Sequence, residues 1–331
     1  MKIIITGATG SLGAYLTRHF AAAGHEVIAS GRVKKPPESL LRFATYLQAD
    51  ITRPCQFPQA DACIHTAALS DDKGKPKDLY EANVVGTKNV AEAARGCPVF
   101  LHISSSSVYL PTDQPIKENL AGQQDNKLLS PYGLSKLQAE EMLLQTTRHP
   151  ACFVLRPRAL YGAGDKVILP RMLKLVHNDI LYCPGKMEVK LSLTHYSTLA
   201  KALECCLEKP AKKGVNIYNV ADSQTYVLIG IMRQLTRQLY GKTLKERRIP
   251  IGLLKGLALF QLGGVTPLLV RSFTKDMVLD ISKIRSELGF APEATYTSTL
   301  KNMGEWVEEI GGVEVIKTGG KGLAWKGLPT L

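Results

Sequence analysis

Two groups of residues in this sequence have types and spacings that could do chemistry. In Ser130-Pro131-Tyr132-Gly133-Leu134-Ser135-Lys136 a phenol and an ammonium stand one helical turn apart, so a helix presents both on one face. An ammonium in that place favours the phenolate, which suits Tyr132 to exchanging a proton with an alcohol or ketone near neutral pH. Tyr and Lys share helix faces in many proteins without function. Here the run Ser104-Ser105-Ser106-Ser107-Val108-Tyr109 follows an apolar strand and sets hydroxyls at the carboxyl edge of a sheet, which turns the pair into a candidate site.

The second group is Lys2-Ile3-Ile4-Ile5-Thr6-Gly7-Ala8-Thr9-Gly10-Ser11-Leu12-Gly13. An apolar β-forming run enters a glycine turn, and Ala14, Tyr15, Leu16, Phe20 and Ala21 then recur at helical spacing. A strand, turn and helix of this kind aim backbone N–H groups and a helix dipole at one point, where a pyrophosphate fits. Gly7 allows the tight turn, Gly10 close backbone approach, and Gly13 packing of helix on strand, with Thr9, Ser11 and Leu12 completing the loop.

The elements that must position these groups alternate. Strands are expected at residues 26–30, 44–48, 62–66, 99–103 and 152–155, with helices over 78–95 and 131–148. That order gives an α/β fold, a Rossmann-type doubly wound parallel sheet with a smaller, mainly helical C-terminal substrate domain. Residues 1–160 form the dinucleotide-binding domain, with a returning strand near 215–220. Residues 161–331 form the substrate-binding part, interleaved with the sheet. Helices are expected over 167–177, 198–208 and 228–240, and a loose tail or surface strap from about 311.

Composition narrows the class. The chain has 331 residues, 45% of them hydrophobic, and a formal charge of +13. Its basic clusters (Arg32/Lys34/Lys35, Lys73/Lys75/Lys77, Lys242/Lys245/Arg247/Arg248 and Lys317/Lys321/Lys326) are scattered. They read as a solvated basic surface, ahead of an anionic membrane or substrate, and no nucleic-acid motif accompanies them. Seven cysteines lack metal-ligand spacing. With no leader ahead of the first strand they read as reduced thiols in a cytoplasmic protein, and no metal is expected.

From the glycine motif, the serine run and the Tyr-x-x-x-Lys pair in this order, the chain resembles an extended short-chain dehydrogenase/reductase of the NAD-dependent epimerase/dehydratase type. The resemblance implies that Ser105 holds the substrate oxygen, Tyr132 transfers the proton, and Lys136 also binds the nicotinamide ribose. Asp50-Ile51 resembles the adenine-side contact, and His65-Thr66-Ala67-Ala68 the cofactor loop after the fourth strand. Asn83-Val84-Val85-Gly86-Thr87 resembles the helix that steadies the site, and Leu155-Arg156-Pro157-Arg158-Ala159-Leu160-Tyr161-Gly162 the loop after the sixth strand. Ser104 and Pro157 are thereby also expected beside the cofactor. His195, in Leu193-Thr194-His195-Tyr196, matches a segment that is structural. Paired helices in the family imply a homodimer.

Residues 27–37 contain no acid that would bind a ribose 2′-hydroxyl, whereas Arg32 offers a fork suited to a 2′-phosphate, so NADP is expected over NAD. Dehydratases of the family carry an Asp-Glu pair beside the catalytic hydroxyl, and here Ser106 and Ser107 stand there. Sugar-nucleotide enzymes tend to have asparagine where this chain has Ala159, so the sequence looks closer to the 3β-hydroxysteroid dehydrogenase-like branch. The apolar stretch 249–270 is broken by Gly263-Gly264 and Pro267. It reads as a helical hairpin lining an apolar pocket, ahead of plain core or contact with a membrane surface. The expected function is NAD(P)-dependent interconversion of a secondary alcohol and a ketone by hydride transfer, on an apolar substrate such as a sterol-like or other hydroxy/keto small molecule. The alternatives are a nucleotide-sugar epimerase with retained cofactor and a non-catalytic NADP sensor.

Overall fold

The computed structural model describes residues 1–70, 74–209, 212–260, 262, 265–318 and 323–327. Lys73 and Lys321, two of the basic residues noted above, lie outside them. The first half alternates as the pattern requires: β1 (Lys2–Thr6), α1 (Ser11–Ala22), β2 (Glu26–Gly31), α2 (Glu38–Leu41), β3 (Thr45–Gln48) and β4 (Ala62–His65). Then come α3 (Pro76–Tyr80), α4 (Gly86–Ala93), β5 (Val99–Ile103), α5 (Pro131–Thr146) and β6 (Ala151–Pro157). The strand β12 (Gly214–Val220) returns to pair with β6, and the sheet order is β12-β6-β5-β4-β1-β2-β3. Every pairing in it is parallel. β1 lies between β2 and β4, where the winding reverses, and the crevice at that switch point lies over the carboxyl ends of the strands.

Burial explains the strand composition. β4, β5 and β6 are buried along their whole lengths, as a sheet covered on both faces demands. Ile3, Ile5, Leu101, Phe153 and Leu155 face one core with Leu16 and Phe20 of α1, and Ile4, Phe100 and Val154 face the other.

The remaining elements are β7 (Leu160–Tyr161), α6 (Ile168–Leu173), β8 (Val176–His177), β9 (Ile180–Pro184), β10 (Lys190–Leu191), β11 (Thr194–His195) and α7 (Tyr196–Glu208). After β12 follow β13 (Tyr226–Val227), α8 (Leu228–Tyr240), β14 (Lys245–Ile249), α9 (Ile251–Leu259), α10 (Pro267–Ser272), α11 (Ser282–Leu288), α12 (Tyr296–Glu309) and α13 (Val313–Thr318).

Two expectations are corrected and a third is narrowed. The helix over 78–95 is not uniform: α3 and α4 are joined by a π-helical segment, Glu81–Val85, which holds Asn83. The helix over 167–177 stops at Leu173, because Asn178 and Asp179 both take positive φ (47° and 57°) and turn β8 back onto β9 as a hairpin; such turns favour Asn and Asp. Of the two forms expected for the tail, the described part of residues 311–331 takes the surface strap. Trp325 is 7% exposed, packs with Ala8, Ala14 and Leu40, and donates its indole N–H to the Ala8 carbonyl at 2.9 Å. This strap braces the back of the glycine turn.

Candidate active site

The turn after β1 is built around its glycines. Gly7 has φ +70°, and a Cβ there would lie 2.8 Å from Ala67 Cα. A Cβ on Gly13 would run into the Gly7 carbonyl oxygen and come within 2.7 Å of Ala8 Cα. Gly10 is the N-cap of α1 and brings no side chain to its first turn, so the N–H groups of that turn stay open to a ligand. A cleft of about 790 Å³ opens over this turn.

Its walls bring together Gly7, Thr9, Gly10, Ser11, Leu12, Gly13, Arg32, Ile51, Thr66, Ala67, Ala68, Ser104, Ser105, Tyr132 and Pro157. Glycine turn, serine run and Tyr132 thus face one space, and the cradle fits a dinucleotide pyrophosphate. A second hollow of about 700 Å³, between Pro115 and residues 278–286, is shallower and holds none of these residues.

Three of the expected residues do not line the cleft: Asp50 is exposed, and Asn83 and Lys136 are buried behind its wall. Asp50 turns its carboxylate to the backbone N–H and hydroxyl of Thr52, at 3.1 and 2.9 Å. Those bonds hold its pKa below the usual carboxylate value. Asn83 is fully buried; it accepts from Leu69 N–H at 2.8 Å, donates to the Leu69 carbonyl at 3.0 Å, and donates to Ser135 Oγ at 2.9 Å. It therefore ties the loop after β4 to α5, and the π-helical segment is what offers its side chain there.

Lys136 is 1% exposed and its Nζ donates to the Ile103 carbonyl at 2.6 Å, one residue before the serine run. The ammonium also lies 3.3 Å from Nε2 of His102. Burial draws its pKa down to about 8, against the opposing pull of the Glu140 carboxylate.

The serines divide the labour. Ser105 is partly exposed, accepts from Ser107 N–H at 3.1 Å, and caps the short 3-10 turn Ser106–Val108. Ser104 is buried and donates to Glu140 Oε1. Glu140 in turn receives Arg156 Nε at 3.0 and 3.1 Å on its two oxygens. Arg156 extends to the Tyr109 hydroxyl at 2.6 Å and the Glu118 carbonyl at 2.7 Å. A chain of buried, mutually satisfied charges thus fixes the floor beneath the serine run. Gly133 completes it: a Cβ there would strike the Ser107 carbonyl, so only glycine lets α5 sit against the serine turn.

His65 bonds Thr6 Oγ1 through Nδ1 at 2.7 Å and Thr87 Oγ1 through Nε2 at 3.1 Å. Its burial depresses its pKa to about 3, which keeps the ring neutral. His195 bonds Ser197 Oγ at 2.7 Å and packs on Tyr161, and it does not line the cleft.

The outer part of the cleft is formed by residues that carried no site assignment from sequence: Arg158, Asp165, Arg171 and Tyr196. Asp165 is buried and accepts from the N–H groups of Val167, Ile168 and Leu169 at 2.7, 3.0 and 2.7 Å, closing the start of α6. Desolvation still raises its pKa to about 6. Ala159, between Arg158 and Leu160 on the same wall, has φ +46°, a conformation that costs an alanine more than an asparagine.

Comparison with known proteins agrees with this geometry. The chain is 30% identical over 212 residues to the 2-alkyl-3-oxoalkanoate reductase of Stenotrophomonas maltophilia, a match covering 61% of this chain and 64% of that one. It is 23% identical over 321 residues to the 4-hydroxy-2-methyl-3-oxo-4-farnesyl-3,4-dihydroquinoline-1-oxide ketoreductase of Stigmatella aurantiaca, covering 91% and 95% of the two chains. The solved UDP-glucuronic acid 4-epimerase of Bacillus cereus in complex with NAD shares the fold, with a TM-score of 0.71 at 20% identity over 94% of this chain and 99% of that one. Residues 3–221 match the model of the NAD dependent epimerase/dehydratase family. With its glycine turn, serine run and Tyr-Lys helix assembled on one sheet, the chain belongs to that family of extended short-chain dehydrogenases/reductases and is one of its enzymes.

Proposed function

We propose that this protein is an NADP-dependent oxidoreductase that interconverts a secondary alcohol and a ketone of moderate, partly apolar character. The observation that carries the reading is the shared cleft of Ser105, Tyr132 and the glycine turn, with Lys136 directly behind. The bound nicotinamide would supply or accept the hydride.

In the reducing direction the Ser105 hydroxyl donates to the ketone oxygen and orients it, and the Tyr132 phenol gives that oxygen its proton as negative charge develops. The buried Lys136 ammonium favours the Tyr132 phenolate left behind, and a proton from solvent restores the phenol. Ser106, buried, and Ser107 occupy the places where an elimination would need an acid and a base. The two reductases named above, one of them acting on a farnesylated ring, support a keto substrate with apolar bulk.

The NADP preference rests on the end of β2. A Cβ on Gly31 would lie 3.1 Å from the Tyr46 hydroxyl and 3.2 Å from Thr9 Oγ1, so an acidic side chain has no easy place there. Arg32 is exposed on the cleft wall, where a guanidinium can meet a 2′-phosphate. Titration of the purified protein with NADPH and NADH tests this. Arg32→Ala is expected to weaken NADPH about tenfold or more, the loss of a charge-assisted bond, and to leave NADH nearly unchanged. A wild-type protein that binds NADH more tightly overturns the preference.

A further inference from the structure

The hairpin α9–α10 departs from what its composition demands. Of the nine residues of α9 (IGLLKGLAL) only Ala258 is buried. A helix that is apolar on all sides belongs in a core or in lipid. Leu253, Leu259, Phe260, Leu262 and Leu269 are 57%, 77%, 71%, 54% and 43% exposed. None of them lines the cofactor cleft, so the expected role of this stretch as a pocket wall is not what the fold provides. Residues 261, 263 and 264 lie outside the described residues.

The surroundings of the patch are strongly cationic. Residues 242–275 contain seven Lys and Arg and a single acid, Glu246, which is held by Arg233 at 2.6 Å. Lys245, Arg247 and Arg248 are exposed along the edge strand β14 that leads into α9, and Lys255 and Arg271 are exposed on the hairpin itself. Two of the seven cations are neutralised, Lys242 by Asp179 and Lys275 by Asp113. The others leave a positive field around an apolar tip.

We infer that the hairpin α9–α10 docks on the surface of an anionic lipid bilayer. Leucines and a phenylalanine enter the boundary between headgroups and acyl chains, and the cations of β14, Lys255 and Arg271 meet the headgroups. At nine residues α9 is far too short to span the hydrocarbon, and no helix among the described residues is long and apolar enough to cross a membrane. The contact is therefore interfacial. The hairpin is not a detached appendage: Ile251 packs beside Gly185 at the end of β9, and Leu181 and Cys183 of β9 share a cluster against which Met172 of α6 packs. Because α6 forms part of the cleft wall, docking would set the substrate side of the molecule at the lipid surface.

The full chain is tested by flotation with vesicles of phosphatidylcholine alone and of phosphatidylcholine with phosphatidylglycerol at a roughly two-to-one ratio. Binding is expected to the anionic vesicles and to fall steeply with added salt. Arg247→Ser and Arg248→Ser should each weaken it about fivefold. The double variant Leu259→Glu/Phe260→Glu should abolish it while leaving the thermal midpoint unchanged, since both side chains are exposed. Failure of the wild-type protein to float with anionic vesicles overturns the inference, as does flotation that survives the double variant. A wild-type oligomer that this variant splits, with no vesicle binding, would assign the patch to a second copy of the chain instead.

Discussion

The ammonium of Lys136 rests 3.3 Å from Nε2 of His102, with both groups sealed inside the fold behind the serine run. His102 is kept neutral, its pKa driven far down by burial and by the neighbouring ammonium, so its ring nitrogen can accept from the lysine.

The first prediction concerns pH. Lys136 has its pKa lowered to about 8, so its positive charge is complete below that pH and is lost above it. kcat/KM should decline on the alkaline side of about pH 8. His102→Leu removes an acceptor of the ammonium and should move this limb about one unit lower, the shift that corresponds to one charged hydrogen bond. A limb that stays in place in the variant would show that His102 serves packing alone.

The second concerns the ion pair of Glu140 and Arg156, which are 1% and 3% exposed. Removing one partner strands a buried charge, which costs about 3–5 kcal/mol. Glu140→Leu and Arg156→Leu should each lower the urea-derived stability by that amount. The double substitution should cost clearly less than the sum, and simple additivity would contradict a coupled pair.

The third concerns Asp165. Its folded-state pKa of about 6 lies above the ordinary aspartate value of 3.8. A raised carboxyl contributes stability that is complete below the unfolded value and is lost as pH rises through the folded one. The stability of the wild-type protein relative to Asp165→Asn should therefore be greatest near pH 3.8 and shrink toward pH 6. Urea midpoints across this window check it, and a difference that grows with pH would contradict it.

What could be read from sequence was local. The glycine turn and the Tyr-Lys pair depend on spacings within a few residues, and the alternation of strands and helices carries the sheet with it. His102, Glu140 and Gly133 could not be read in the same way. Each draws its role from a partner elsewhere in the chain, as Glu140 does from Arg156 and Ser104, and for His102 and Glu140 nothing in the local sequence marks it. Trp325 reaches back to Ala8 across almost the whole chain. The π-helical segment around Asn83 looks like ordinary helix in pattern. For α9 and α10 the composition announced an apolar hairpin, but whether it meets a pocket or solvent depends on the surrounding elements. One signal had been available: Gly133 follows Tyr132 at the start of α5, where a glycine weakens a helix unless something approaches closely.

The most direct measurement follows the reduced nicotinamide optically while NADPH is offered with a panel of medium-sized apolar ketones and β-keto acids, using the wild-type protein and Tyr132→Phe in parallel. The wild-type protein should consume NADPH in step with alcohol formed. Tyr132→Phe should lose turnover by about 10²–10⁴-fold with cofactor binding nearly intact. Interconversion of nucleotide sugars with no net consumption of NADPH, or a Tyr132→Phe variant that keeps substantial activity, would contradict the account.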